Sequence, residues 1–249
     1  MSKIKITGST LKIIALVTML IDHIAYGILR FIPAFRATGE YHYIYVIMRY
    51  IGRVSFPLFA FLLVQGFLHT KSHARYVIRL AIFVVVSELP FNLAFYKTML
   101  HPQYQNVFLD LLLGFVAMLG LRWLKGIYYS KSFRSFITDG IRQNIFILGL
   151  GTIVVCTCML VAELIKADYG AAGVIVIIVF LLLKDKPIAA SLIACSILLW
   201  DSELEVTSYL MIIPLYFYNG EKGRNIKLLS YIFYPAHLLI IYLIGIMIL

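Results

Sequence analysis

The sequence is short of charge: Asp, Glu, Lys and Arg supply 14% of its 249 residues, against 62% hydrophobic ones. So little polar material cannot coat a water-soluble sphere, and a mean hydropathy of +0.93 excludes an ordinary soluble domain. Acidic residues are the scarcer sign, 12 against 22 Lys and Arg. The net charge of +10 invites a nucleic-acid reading, but the bases sit at the ends of apolar runs rather than in one stripe interleaved with aromatics. No nucleic-acid partner is expected. Cysteine is nearly absent: Cys156, Cys158 and Cys195 lie in apolar segments without a disulfide framework or the paired spacing of a zinc site. They are assigned to packing, and no metal is expected. Internal repeats and low-complexity tracts are lacking, so the chain reads as one membrane-embedded domain over 1–249.

What is abundant is apolar runs of spanning or near-spanning length. They predict an all-α, polytopic helical bundle of about nine transmembrane helices, roughly 11–32, 44–68, 76–96, 106–124, 144–164, 170–183, 187–200, 205–218 and 228–248. The sixth and seventh are short, about 20 Å each by helical rise, and need a thinned bilayer or shelter by neighbours. Lys3, Lys5 and the first run have the outline of a signal peptide, but that run carries Asp22-His23 and no evident small-residue cleavage site, so a retained helix is expected. Alternate connections sort the bases. One side collects Lys3, Lys5, Lys12, Lys71, Arg75, Arg79, Arg122, Lys125, Lys131, Arg134, Arg142, Lys184, Lys186, Lys222, Arg224 and Lys227, and the other holds Arg30, Arg36, Lys97 and Lys166. The positive-inside rule then predicts a cytoplasmic N-terminus and an external C-terminus. Leu124 to Arg142 mixes aromatics with bases, which suits a segment lying on the bilayer surface or an ordinary basic loop.

Ionisable groups inside spans are costly unless they face a cavity or a partner, which makes each a candidate functional residue. Asp22 and His23 lie about 16–18 Å along the first helix, Arg53 about 14 Å along the second from the opposite side, Glu88 about 18 Å along the third and His237 about 14 Å along the last. These depths converge. Asn92 shares a face with Glu88, Arg49 shares one with Arg53, and Asp110 enters the fourth helix by one turn. Pro57 deprives the Arg53 carbonyl of its helical donor, Pro90 is expected to break the third helix, and Pro235 precedes His237 by two residues. Plainer readings stand beside these: a packing role for His237, snorkelling for Arg49 and a structural ion pair for Asp22 with Arg53. For His23, an imidazole beside carboxylates and an Arg suits proton abstraction. His69 and His73 flank the basic loop and are assigned to a solvated surface.

The segments LKIIALVTMLIDHIAYG (11–27), RYIGRVSFPLFAFLLVQGFLHTKSHARYVIRL (49–80), SELPFN (87–92), ADYGAAGV (167–174), and YNGEKG followed by YIFYPAHLLIIYL (218–243) together resemble the TraX family. The resemblance covers most of the chain from Leu11 onward, and 122–165 is not distinctive. The family's founding member is associated with N-acetylation of a conjugative pilin subunit, and the family is similar to transmembrane acyltransferases such as heparan-α-glucosaminide N-acetyltransferase. The resemblance implies acetyl-CoA as the acetyl donor, a donor passage open to the cytosol, and the His of the Asp-His motif, His23, as catalytic base. Around it the expected catalytic set is His23, Asp22, Glu88 and Arg53, with Glu88 favoured to orient the imidazole because Asp22 lies about 100° around the same helix. His237, Asn92, Asp110 and Arg49 are expected to line the acceptor site. Lys71, Arg75 and Arg79, with Arg122, Lys125 and Lys222, are expected to draw in the donor phosphates, although positive-inside bias produces much of that cluster by itself. The expected partners are acetyl-CoA, an acceptor peptide or glycan and the lipid bilayer. A proton-coupled transporter and a non-catalytic assembly subunit are the competing readings.

Overall fold

A computed structural model describes residues 5–129 and 140–248. The described residues are helical apart from loops and one isolated bridge between Ile6 and Tyr218. Helix α1 (Gly8–Gly27) starts where the Thr7 side chain accepts from the Thr10 amide, and it buries Leu11, Ala15, Met19 and Asp22 on one stripe. Two 3₁₀ turns lead to α2 (His42–Gly52), which is followed almost at once by α3 (Ser55–His69). The interruption falls on Arg53 and Val54, where Pro57 supplies no amide to the Arg53 carbonyl. Helix α4 (His73–Tyr96) is capped by Ser72 and runs through Pro90 unbroken, contrary to the break expected there. The remaining helices are α5 (Phe108–Tyr128), α6 (Gly140–Leu164), α7 (Gly170–Leu182), α8 (Pro187–Asp201), α9 (Ile212–Tyr216) and α10 (Lys227–Ile248).

Among the described residues, five stretches are long and apolar enough to cross a membrane: Gly8–Phe31, His42–His69, His73–Tyr96, Arg142–Leu164 and Ser230–Ile248. Helix α5 has comparable length but carries Asp110, Arg122 and Lys125, while α7 and α8 are shorter apolar helices. Between α8 and α9 the expected eighth span is mostly a 3₁₀ helix, Glu203–Met211. At about 2.0 Å per residue, a 3₁₀ run reaches further than an α-helix of equal length. Its buried residues are Glu205, Ser208 and Met211, every third one, as three residues per turn requires.

The core is built from α1 against α2, α3 and α10, from α4 against α5 and α10, and from α7 against α3, α5, α6 and α8. One end of the bundle gathers the bases. Ile6 pairs with Tyr218, the Ser9 hydroxyl accepts from the Arg224 amide, and Arg122 lies 2.9 Å from His73. Of the predicted basic side, Lys3, Lys131 and Arg134 lie outside the described residues, as does 130–139 of the segment read as surface-lying.

Candidate active site

Deep between α1, the α2–α3 break and the 3₁₀ helix, four charged side chains form one cluster. The Asp22 carboxylate accepts from Arg49 Nη1 and Arg53 Nη2, both at 2.7 Å, and Arg53 Nη1 donates to Glu205 Oε1 at 3.1 Å. Arg53 Nε donates to the Arg49 carbonyl at 3.3 Å, which leaves one N–H on each Nη uncommitted. Asp22 and Glu205 are only 6% and 3% exposed, so the pairs hold much of their charge out of bulk water. Glu205 Oε2 is buried with no hydrogen-bond partner among the described residues. The approach depends on Gly52, since a Cβ there would stand 2.2 Å from Asp22 Cβ.

His23 lies beside this cluster, one position on from Asp22 on α1. Its Nδ1 is 2.7 Å from His237 Nε2 on α10, and His237 Nδ1 is 2.7 Å from the Phe233 carbonyl. The two rings are inclined by 13° with centroids 5.0 Å apart, so they meet edge to edge. Phe95 and Tyr234 hold the His23 ring from the sides by edge-to-face contacts at 5.0 and 5.9 Å.

Two cavities approach each other at this point. The one at the far end, about 460 Å³, is lined by His23, Asp22, Arg49, Arg53 and Glu205, and by Tyr26, Phe95, Tyr96, His101, Tyr104, Asp168 and Tyr169. Asp168, in the connection between α6 and α7, lines this space and is itself exposed. Desolvation by the protein around the cavity pushes its carboxyl up to about 6, Arg53 and Arg49 pull it back, and Asp22 opposes them. The cavity at the basic end, about 440 Å³, is lined by Lys12, His69, Arg79, Lys222 and Arg224 together with Tyr76, Phe108, Tyr231 and Tyr234. Met19, Phe59 and Val107 belong to both linings. A partition of these side chains separates a basic chamber from the one that holds His23.

The sequence profile described as TraX protein matches residues 7–245. The chain belongs to the TraX family. A protein of Dichelobacter nodosus described as "Probable fimbrial assembly protein FimC, serogroup H1" is 28% identical over 251 residues, covering 92% of this chain and 91% of its own. No solved structure matches.

In this TraX-family chain, the expected residues separate into those that meet and those that do not. Asp22, His23, Arg49, Arg53 and His237 come together, with Arg49 on Asp22 rather than among headgroups. Glu88 does not join them. Its carboxylate accepts from Asn92 Nδ2 at 3.1 Å and Asn106 Nδ2 at 2.6 Å, tying α4 to the turn before α5, so His237 rather than Glu88 holds the imidazole. Asn92 is 1% exposed and lies outside the cavity lining. Asp110 Oδ1 accepts from the Tyr169 amide at 3.2 Å and so anchors the turn that presents Asp168 and Tyr169. Of the expected phosphate ligands, Arg79 lines the basic chamber, whereas Lys71 and Arg75 do not. Lys222, expected in that cluster, lines it with Lys12 and Arg224, Arg122 and Lys125 do not, and His69, expected on an open surface, lines the same chamber. Sequence reasoning passed over Glu205, Asp168, Tyr96 and His101; Asp168 did stand inside the ADYGAAGV segment that carried the family resemblance.

Proposed function

We propose that the chain is a membrane-embedded acetyltransferase, moving an acetyl group from cytosolic acetyl-CoA to an amine or hydroxyl presented from the opposite face. One observation carries this reading: an imidazole that lines a chamber rimmed by carboxylates and aromatics, behind a partition shared with a strongly basic chamber. With the basic end cytoplasmic, as the positive-inside rule orients it, Lys12, Arg79, Lys222 and Arg224 receive the CoA phosphates and the slender pantetheine arm passes toward Met19. His23 takes the acceptor proton as the nucleophile attacks the thioester carbonyl. The uncommitted N–H groups of Arg53 face the oxyanion that forms, and Asp22 and Glu205 hold that guanidinium in place. Collapse breaks the C–S bond, and the thiolate leaves with a proton as free CoA. Because the Dichelobacter relative is described as a probable fimbrial assembly protein, the acceptor we propose is a fimbrial subunit, and the same description fits equally a role in assembly without catalysis.

Vesicles reconstituted with purified protein and loaded with labelled acetyl-CoA test the reading. Label should pass to an acceptor in stoichiometric exchange for free CoA, and His23→Ala should cut turnover roughly 100- to 10,000-fold while donor binding persists. Solute movement without thioester consumption identifies a transporter. A His23→Ala protein that supports fimbrial assembly as well as wild type identifies a non-catalytic subunit.

A further inference from the structure

We infer that His237 is a positioning residue that dictates which nitrogen of His23 is the base. This rests on the acetyltransferase reading for its functional meaning, but its structural content stands on geometry alone. A backbone carbonyl only accepts, so His237 Nδ1, 2.7 Å from the Phe233 carbonyl, carries the hydrogen. The Nε2 of a neutral His237 is therefore a bare lone pair. The His23 nitrogen facing it at 2.7 Å, Nδ1, must then be the donor. In neutral His23 that leaves Nε2 as the lone pair, on a ring that lines the His23-containing chamber. The network thus assigns the Nδ1–H tautomer to His23 through a carbonyl on another helix, with no carboxylate on the imidazole.

The chemistry follows from the proton count. The acceptor's proton passes to His23 Nε2, the imidazolium keeps its Nδ1–H directed at His237 Nε2, and the pair shares the charge through that hydrogen bond. A carboxylate orienter would neutralise the imidazolium outright. A second imidazole fixes the tautomer while adding no opposing charge, so the proton stays available to the departing thiolate.

The ¹⁵N spectrum of histidine-labelled protein in detergent or nanodiscs reads the tautomer directly. In wild type, His23 should show a protonated Nδ1 and an unprotonated Nε2. His237→Leu should shift His23 toward the Nε2–H form and lower kcat at least tenfold with KM for acetyl-CoA unchanged. His237→Gln, whose amide oxygen still accepts from His23, should keep the Nδ1–H form and recover part of the turnover. An Nε2–H tautomer in wild type overturns the inference, and so does a His237→Leu spectrum identical to wild type. If His237→Leu does not fold, the wild-type and His237→Gln spectra decide by themselves. Absence of acetyl transfer in wild type would defeat the proposed function while leaving the tautomer result to judge this inference separately.

Discussion

Gly52 shows how much of the site turns on one missing atom. Asp22 reaches both arginines because α1 and α2 touch at that point, and a methyl group would meet the Asp22 Cβ and carboxylate rather than the loose end of a long side chain. Gly52→Ala is therefore expected to push the helices apart and break at least one of the two ion pairs. Losing one partner of a buried pair costs about 3–5 kcal/mol, so the variant should unfold at visibly lower temperature in detergent and lose transfer activity together. Unchanged thermal stability would mean that the helices part without cost. The same carboxylate explains why Asp22 precedes His23 in the sequence yet does not touch it. Neighbours on a helix point about 100° apart, so one residue serves the arginine cluster and the next serves α10.

The α2–α3 break places Arg53 between two carboxylates on different elements. In a continuous helix the Arg53 carbonyl would be engaged and its side chain held to one regular direction, so Pro57→Ala should restore the ladder and draw the guanidinium away from Glu205. Transfer should fall more than tenfold while the folded protein remains at least as stable as wild type, measured by activity and thermal unfolding on one preparation. The unpaired Arg53 carbonyl was legible in the sequence because proline's missing donor acts locally, but the helix was read as continuous over 44–68 and the break was expected at Pro90 instead. The apolar runs were legible too, since length and hydropathy are enough to find them. Glu88 was not. Helical rise gives a residue's height but not the direction it faces, and Glu88 at the expected height turns to Asn92 and Asn106. The Glu203–Met211 segment was hidden for a different reason, because a pattern scanned at 3.6 residues per turn does not pick out a stripe of Glu205, Ser208 and Met211 at 3.0. Glu205, the second carboxylate on Arg53, was lost with it.

Among the five long apolar stretches, the most apolar is the least buried. The window within Arg142–Leu164 is 17% buried, and exposed Ile145, Leu148, Ile153, Leu160 and Leu164 leave this helix a broad apolar surface suited to acyl chains. The charged residues of the site lie instead where neighbouring helices cover them. Met19, Phe59 and Val107 then acquire an electrical meaning. In the proposed orientation each chamber opens to one face and carries its bulk potential inward, so the voltage of an energised membrane drops mostly across the partition between them. At about 2.3 kcal/mol per elementary charge for each 100 mV, that layer is a dielectric as well as a wall. Met19→Gly should puncture it: vesicles holding a potassium diffusion potential should keep it with wild-type protein and discharge it within minutes with the variant. Equal decay rates would show that the insulation lies elsewhere in the bundle.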